Sequence, residues 1–212
     1  MNPFVFHSPT RFVFGPQAEL ETGAHAGELG IRSVLIVYGQ GSVVRSGLLE
    51  RVKSSLMKSG IAVQELSSIV PNPLSSPVYE GIAAARDMKA DAVLGLGGAS
   101  AMDTAKAIAV GVPYAGDFWD FYCAKAAPKE ALKLIAVPTL SAAGSEGSNS
   151  SVITNDKLTL KRGLRSALIR PQLAIMNPAL TYTAPREQKA CGAADILAHV
   201  FERYFTNTRD VA

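Results

Sequence analysis

Two residues near the end of the chain have the types and the spacing of a partial metal site. Asp195 and His199 are four positions apart in the segment AADILAHVFE, and residues four apart share one face of a helix. A carboxylate and an imidazole both bind divalent metals, but a tight protein site usually has three or four ligands. The chain ends at Ala212, and its other histidines, His7 and His25, are near its start. We therefore expect half of a metal site, in a chain that stops before the remaining ligands.

The composition restricts the class of protein. The chain has 212 residues, 48% of them hydrophobic, and a net charge of +3 from scattered Lys and Arg, which argues against nucleic-acid binding. It has no apolar run of about 18 residues that could cross a membrane, and its first residues do not have the pattern of a signal peptide. Cys123 and Cys191 stand alone, as is usual in a reducing compartment. We expect a cytoplasmic protein that binds neither nucleic acid nor membrane.

Short apolar runs alternate with amphipathic stretches, which is typical of an α/β fold with a parallel sheet covered on both faces. Such sheets bind ligands beyond the carboxyl ends of their strands. We predict a Rossmann-like dinucleotide-binding domain over residues 1–182, followed over residues 183–212 by the first helix of an incomplete all-helical domain. The predicted strands are 11–14, 33–38, 62–66, 92–95, 134–137 and 173–176, and the predicted helices are 47–58, 77–88, 100–110 and 185–205.

The turn after the strand at 92–95 is rich in glycine. Gly97 and Gly98 allow the backbone to approach a ligand, Ser100 is a suitable N-cap, and the amides of a helix N-terminus attract a phosphate. The loop lacks the GxxxxGK[ST] and GxGxxG patterns, so an ordinary strand-to-helix turn is the alternative. Thr183 is predicted as a second N-cap, before Pro185. The aromatic run 118–122 is interpreted as a cluster in a surface loop.

With the segments around it, this turn resembles a known family. Residues 97–106 (GGASAMDTAK) are similar to the GGGSxxDxxK signature of the iron-containing (group III) alcohol dehydrogenases. Further resemblances occur in the same order: FHSPTRFVFG at 6–15, PNP at 71–73, PTLSAAGSE at 138–146, and Asp195-x3-His199. The segments YGQGS at 38–42 and TYT at 181–183 resemble the NADPH-dependent butanol dehydrogenase and aldehyde reductase branch.

The resemblance implies which residues contact a nicotinamide dinucleotide. Gly97, Gly98 and Ser100 are expected to hold its pyrophosphate, and Asp103 is expected near the nicotinamide. Ala99 replaces a third glycine of the signature, and Asn177 replaces the aspartate of a family Asp-Pro pair. The next loop and a later lysine complete the expected contacts: Thr139, Ser141 and Lys161, with Lys157 as the alternative to Lys161.

The turn at 39–42 bears on the choice between NAD and NADP. An acid after an early strand pairs with the ribose diol of NAD and repels the 2′-phosphate of NADP. Gly39, Gly41 and Ser42 offer amides and a hydroxyl here, with Arg45 close by, and the turn contains no acid. Together with the resemblance this favours NADP over NAD; the alternative is that the segment is only a flexible turn.

The resemblance also implies an activity. Family members use one Asp and three His as metal ligands, so Asp195 and His199 correspond to two of the four, for Fe²⁺ or Zn²⁺. The expected function is NADP(H)-dependent interconversion of alcohols with aldehydes or ketones by hydride transfer. The 212-residue chain alone is expected to be inactive. The family forms dimers through its N-terminal strand, so residues 4–15 are expected to support a homodimer.

Three alternative functions compete with this one. A glycerol dehydrogenase or a dehydroquinate-synthase-like enzyme has the same fold and a similar glycine loop, but the Asp195–His199 spacing weighs against both. A non-catalytic nucleotide-binding module would explain why the ligand set is incomplete. A serine hydrolase is the least favoured alternative, because the segment around Ser145 is not GxSxG and His199 is the only histidine after Ser145.

Overall fold

The computed structural model describes residues 7–39 and 41–205 and has a six-stranded sheet, all of whose strand pairs are parallel. The strand order is β1-β8-β5-β4-β2-β3, and β6 and β7 form a separate antiparallel hairpin. The strands are β1 (Arg11–Phe14), β2 (Ser33–Gly39), β3 (Ala62–Ile69), β4 (Ala92–Gly97), β5 (Lys133–Pro138), β6 (Ser150–Asn155), β7 (Leu160–Arg165) and β8 (Leu173–Met176). The helices are α1 (Thr22–Glu28), α2 (Ser42–Arg45), α3 (Leu48–Lys58), α4 (Ser75–Asp87), α5 (Ala99–Gly111), α6 (Trp119–Tyr122) and α7 (Arg186–Tyr204).

The sheet lies between two apolar layers, as the alternation in β2 requires. Val34 and Ile36 point to one face, where α1 and α3 pack against them. Leu35 and Val37 point to the other, which α4, α5, α6 and the hairpin cover. Every residue of β4, in the middle of the sheet, is buried. The predicted α/β fold with a parallel sheet is confirmed.

Two parts of the fold do not follow from the apolar pattern. The β6–β7 hairpin begins at Ser150, at the end of a stretch rich in Ser, Gly and Ala. A 3₁₀ turn at Ala18–Glu21 and α1 lie between the first two strands. Small and polar residues dominate both segments, so neither has a strong apolar strand or helix pattern.

Both predicted N-caps are wrong. Helix α5 begins at Ala99 with Gly98 as its N-cap, and Ser100 lies inside the first turn, where its carbonyl accepts the Thr104 hydroxyl at 2.9 Å. Helix α7 begins at Arg186 with Pro185 as its N-cap. Neither cap residue donates or accepts a side-chain hydrogen bond at its helix. The start of each helix is therefore set by tertiary packing rather than by a capping side chain.

The aromatic run 118–122 is not a surface loop, which corrects the interpretation from the sequence. Phe118, Trp119, Phe121 and Tyr122 are all buried around the short helix α6. The Trp119 and Tyr122 rings stack with their centroids 5.4 Å apart, and the Tyr122 hydroxyl bonds to the Ser151 hydroxyl at 2.7 Å. These rings close one end of the core, which the periodicity of so short a segment could not indicate.

Helix α7 differs from the other long helices because Gly192 is its only buried residue. Its apolar side chains, among them Ile196, Leu197 and Phe201, are at least 40% exposed. The proposed domain boundary at 182/183 stays a prediction. Among the helices in the described part of the chain, none has the length and hydropathy needed to cross a membrane.

Candidate functional site

A cleft of about 810 Å³ opens at the carboxyl ends of β2, β4 and β5. From β2 the chain adds β3 on one side and β4 on the other, so the strand order reverses between β2 and β4. Such a reversal leaves a crevice at which open α/β sheets bind ligands. The cleft volume is in the usual range for cofactor and ligand sites. Its walls come from the turns after these strands and from the segment that leads into α7.

The floor of the cleft is the glycine turn between β4 and α5. Gly97 has φ of +134°, a conformation that side chains rarely adopt, and its carbonyl accepts the Thr139 amide at 3.0 Å. A Cβ built at Gly98 would meet nothing within 4 Å, so the cleft is open at that point. Helix α5 has 13 residues and its N-terminus faces the cleft. A pyrophosphate placed here would meet the positive end of the helix dipole.

A second wall is the turn after β2. Gly39, Ser42 and Arg45 all line the cleft, and Gly41 has φ of +115°. A Cβ at Gly41 would lie 3.1 Å from the Arg45 Nη1, so the guanidinium folds back over the turn. The turn after β2 therefore presents a cation to this wall of the cleft.

A buried polar network forms the side of the cleft away from the glycine turn. Glu19 is 3% exposed and lines the cleft. The Arg51 Nε donates to one of its carboxylate oxygens at 3.0 Å, and the Asn177 Nδ2 donates to the other at 2.8 Å. Asn177 also accepts the Ala179 amide at 3.0 Å. Both carboxylate oxygens of Glu19, the acid of this wall, therefore accept hydrogen bonds.

The two charged residues of the signature segment do not line the cleft. Asp103 accepts the Val152 amide and the Ser145 hydroxyl, each at 3.1 Å. Lys106 is 1% exposed, and its ammonium donates to Ser145 Oγ at 2.9 Å. Burial raises the pKa of Asp103, and burial lowers the pKa of Lys106 to about 8. Both shifts have the sign that desolvation of a charge requires.

The structure brings together most of the nucleotide contacts expected from the sequence. Six of these residues line the cleft: Gly39, Ser42, Gly97, Gly98, Ser100 and Thr139. Gly41 belongs to the same turn as Gly39 and Ser42.

Ser141 and Lys161 are not among the residues that line it. A Cβ built at Gly192 would lie 2.4 Å from the Ser141 carbonyl oxygen, so α7 rests against the backbone there. The Lys161 Nζ donates to Asn72 Oδ1 at 2.7 Å, next to Pro71 on the cleft rim.

Asp195 and His199 lie on one face of α7, as their spacing predicts. The His199 Nε2 is 3.6 Å from an Asp195 carboxylate oxygen, and both side chains are about half exposed. Within residues 7–39 and 41–205 there is no group of three His, Cys, Asp or Glu side chains arranged to hold a metal. The described chain therefore offers two donors, which is half of a four-ligand site.

Sequence reasoning missed several residues of the cleft. Glu19 and Arg51 come from segments with no nucleotide-binding motif, and only their opposite charges could have suggested a pair. Leu180, Thr183 and Ala184 line the cleft because the chain crosses it on the way to α7. The anchoring role of Lys106 was equally hidden, because its acceptors lie 39 to 44 positions away.

Comparison with known proteins agrees with this geometry. The chain is 41% identical over 205 residues to a probable NADH-dependent butanol dehydrogenase of Bacillus subtilis, covering 97% of this chain and 53% of that protein. It is 34% identical to the NADPH-dependent aldehyde reductase YqhD of Escherichia coli, covering 99% and 54%.

Among solved structures, the NADH-dependent butanol dehydrogenase A of Thermotoga maritima superposes with a TM-score of 0.94 at 42% identity, covering 97% of this chain and 52% of that one. The chain thus spans about half the length of the relatives it matches. The family model described as iron-containing alcohol dehydrogenase matches residues 9–178. The resemblance seen in the sequence is confirmed, and the chain belongs to the iron-containing alcohol dehydrogenase family.

Proposed function

We propose that this chain is the nucleotide-binding part of an NADP(H)-dependent, metal-assisted enzyme that interconverts alcohols with aldehydes or ketones. The observation that carries the proposal is the cleft at the strand-order reversal, with a glycine turn and a helix N-terminus on its floor. This arrangement supplies amides and a dipole to a pyrophosphate. Membership in the iron-containing alcohol dehydrogenase family supports the reaction class.

The cleft residues bind and orient the cofactor. Gly97 and Gly98 let the phosphates approach the backbone, Ser100 adds a hydroxyl, and Thr139 closes the floor beside them. The bound nicotinamide supplies hydride chemistry, and the protein supplies the position of its reactive face.

The metal would be held by Asp195 and His199 on α7 together with ligands from outside this chain, and it would act as a Lewis acid on the carbonyl oxygen. Two half-exposed donors fit only half of such a site. Iron and zinc both accept a carboxylate and an imidazole. We expect the 212-residue chain alone to bind nucleotide with little or no turnover.

The choice of NADP rests on Arg45. The relatives include proteins named for NADH and for NADPH, so their names do not decide between the two cofactors. In this chain the guanidinium of Arg45 lies over the Gly41 turn, and the acid of the cleft, Glu19, is already paired with Arg51. A 2′-phosphate at the turn would therefore meet a cation and backbone amides rather than a free carboxylate.

Titration of the chain with NADPH and with NADH, followed by calorimetry, tests the proposal. We expect tighter binding of NADPH, and we expect Arg45→Ala to weaken NADPH binding by about tenfold, the loss of one charge-assisted contact. NADH binding should hardly change. The control is Arg32→Ala, which removes the same charge at the opposite end of β2, where the side chain is exposed. Equal affinities of the wild type for both nucleotides would refute the NADP assignment.

A nucleotide-binding module without catalysis is the second candidate, and the two-donor site favours it. Metal analysis and an aldehyde-reduction assay of the purified chain test this second candidate. Stoichiometric metal together with aldehyde reduction at an ordinary enzyme rate would contradict both the module and the expected inactivity.

We also propose a cytoplasmic homodimer. Both cysteines, Cys123 and Cys191, are free thiols, as is usual in a reducing compartment. Strand β1 is at an edge of the sheet and exposes Phe12 and Phe14, so it is the surface we propose for pairing; residues 4–6 lie outside the described part of the chain.

A further inference from the structure

The segment from Ser145 to Val152 is fastened to α5 by two charged side chains one helical turn apart. The Lys106 ammonium donates to the carbonyls of Ser145, Ser148 and Ser150 at 2.7, 3.1 and 3.0 Å. It also reaches the hydroxyls of Ser145 and Ser148. Three backbone carbonyls of this segment therefore converge on the single buried ammonium of Lys106.

Asp103 holds the same segment from the other side. Its carboxylate accepts the Val152 amide and the Ser145 hydroxyl, while its carbonyl accepts the Ser151 hydroxyl at 2.9 Å. Ser145 thus bridges the two charged residues, since its hydroxyl accepts from Lys106 and donates to Asp103. A buried charge is tolerated when its hydrogen bonds are satisfied, which makes this arrangement both costly to break and specific in geometry.

This fastened segment is the continuation of the loop that forms part of the cleft. Thr139 and Leu140 line the cleft, and the Thr139 amide is held by the Gly97 carbonyl. The loop is therefore fixed at both ends, by the glycine turn before it and by Asp103 and Lys106 after it. In the proposed binding mode the 2′-phosphate lies at the Gly39–Arg45 turn and the pyrophosphate at the Gly97 turn. The nicotinamide half then extends towards Thr139 and Leu140.

We propose that Lys106, together with Asp103, is a positioning residue that sets the nicotinamide end of the cleft by anchoring the Ser145–Val152 segment. The inference rests on the proposed function. Neither side chain lines the cleft. Replacing Lys106 with a neutral side chain removes the donor to three backbone carbonyls, and the loop must move to hydrate them. Such a movement alters the end of the cleft at Thr139 and leaves the Arg45 end in place.

The test compares two ligands that share the adenosine half. The full chain and its variants are titrated with NADPH and with adenosine 2′,5′-bisphosphate, well below the unfolding temperature of each protein. For Lys106→Met we expect the dissociation constant of NADPH to rise by about tenfold or more. The dissociation constant of the bisphosphate should change by less than about twofold. Asp103→Asn, which keeps the size of the side chain, should act in the same direction and serves if Lys106→Met does not fold.

The control separates positioning from general stability. Ile31→Ala makes a cavity before the first residue of β2, at the end of the sheet opposite the cleft. It should lower the unfolding temperature and leave both affinities unchanged. The inference is overturned if Lys106→Met and Asp103→Asn weaken both ligands equally, or weaken neither. A wild-type chain that binds neither ligand would instead refute the proposed function, and the inference with it.

Discussion

The contact between Gly192 and the Ser141 carbonyl gives a sharp prediction about helix α7. A methyl group at position 192 would lie 2.4 Å from that oxygen, whereas ordinary contacts begin near 3.4 Å. The obstacle is backbone, so Gly192→Ala must displace the helix or the loop by about 1 Å. Alanine also favours a helix over glycine by about 1 kcal/mol, while overpacking costs about 1–3 kcal/mol. The segment should therefore remain helical but lose its close packing against the Ser141 backbone.

Hydrogen exchange measured by mass spectrometry can separate these two effects. We expect segments 139–150 and 186–204 to exchange about tenfold faster in Gly192→Ala than in the wild type, because local opening becomes easier by about 1.4 kcal/mol. The strands of the sheet should be unaffected. Ala193→Gly is the matched control, since Ala193 is exposed and only the helix propensity changes. Unchanged or slower exchange in Gly192→Ala would refute the reasoning.

Two further predictions concern stability as a function of pH. Burial lowers the pKa of Lys106 to about 8 from an ordinary value of 10.5, so between these values the unfolded chain holds a proton that the folded chain has released. The free energy of unfolding of the wild type should therefore rise relative to Lys106→Met from pH 8 to 10, by at most about 1.4 kcal/mol per pH unit; parallel curves in chemical denaturation would contradict this. Asp156 accepts bonds from Ser75 and Ser76, which lower its pKa to about 2 from 3.8. Its stabilising effect is present above pH 3.8 and is lost as the pH falls towards 2, so acid titration should destabilise the wild type more steeply than Asp156→Asn, and equal slopes would argue against the contact in solution.

The inner strands of the sheet could be predicted from the sequence because they are buried on both faces. All six strands of the parallel sheet were found, since runs such as 92–95 and 134–137 are almost wholly apolar. The hairpin β6–β7 was missed because the buried positions of β6 are Ser151, Ile153 and Asn155, of which only Ile153 is apolar. A polar strand of this kind is stabilised by its pairing and by contacts with α5, which lie outside its own sequence.

The site was predictable where a backbone conformation carries the function. The glycine turns at 39–42 and 97–98 can be recognised from the sequence, because few residues other than glycine adopt the observed φ at Gly41 and Gly97. Asp103 could not be placed in the same way. Its position in the signature segment suggested the nucleotide, whereas its carboxylate faces the hairpin amide of Val152. The orientation of this buried carboxylate depends on hydrogen-bond partners 42 to 49 residues away. A local sequence pattern does not reveal such partners.

The Glu19–Asn177 hydrogen bond limits which residues of related sequences could be substituted at position 177 of this chain. Asn177 replaces the aspartate of the family's Asp-Pro pair, and its amide nitrogen donates to the buried Glu19 carboxylate at 2.8 Å. An aspartate at 177 could still accept the Ala179 amide, but it would set two carboxylates against each other with only Arg51 to neutralise them. We therefore expect positions 19 and 177 to form an epistatic pair, in which aspartate at position 177 is tolerated only when Glu19 is exchanged as well.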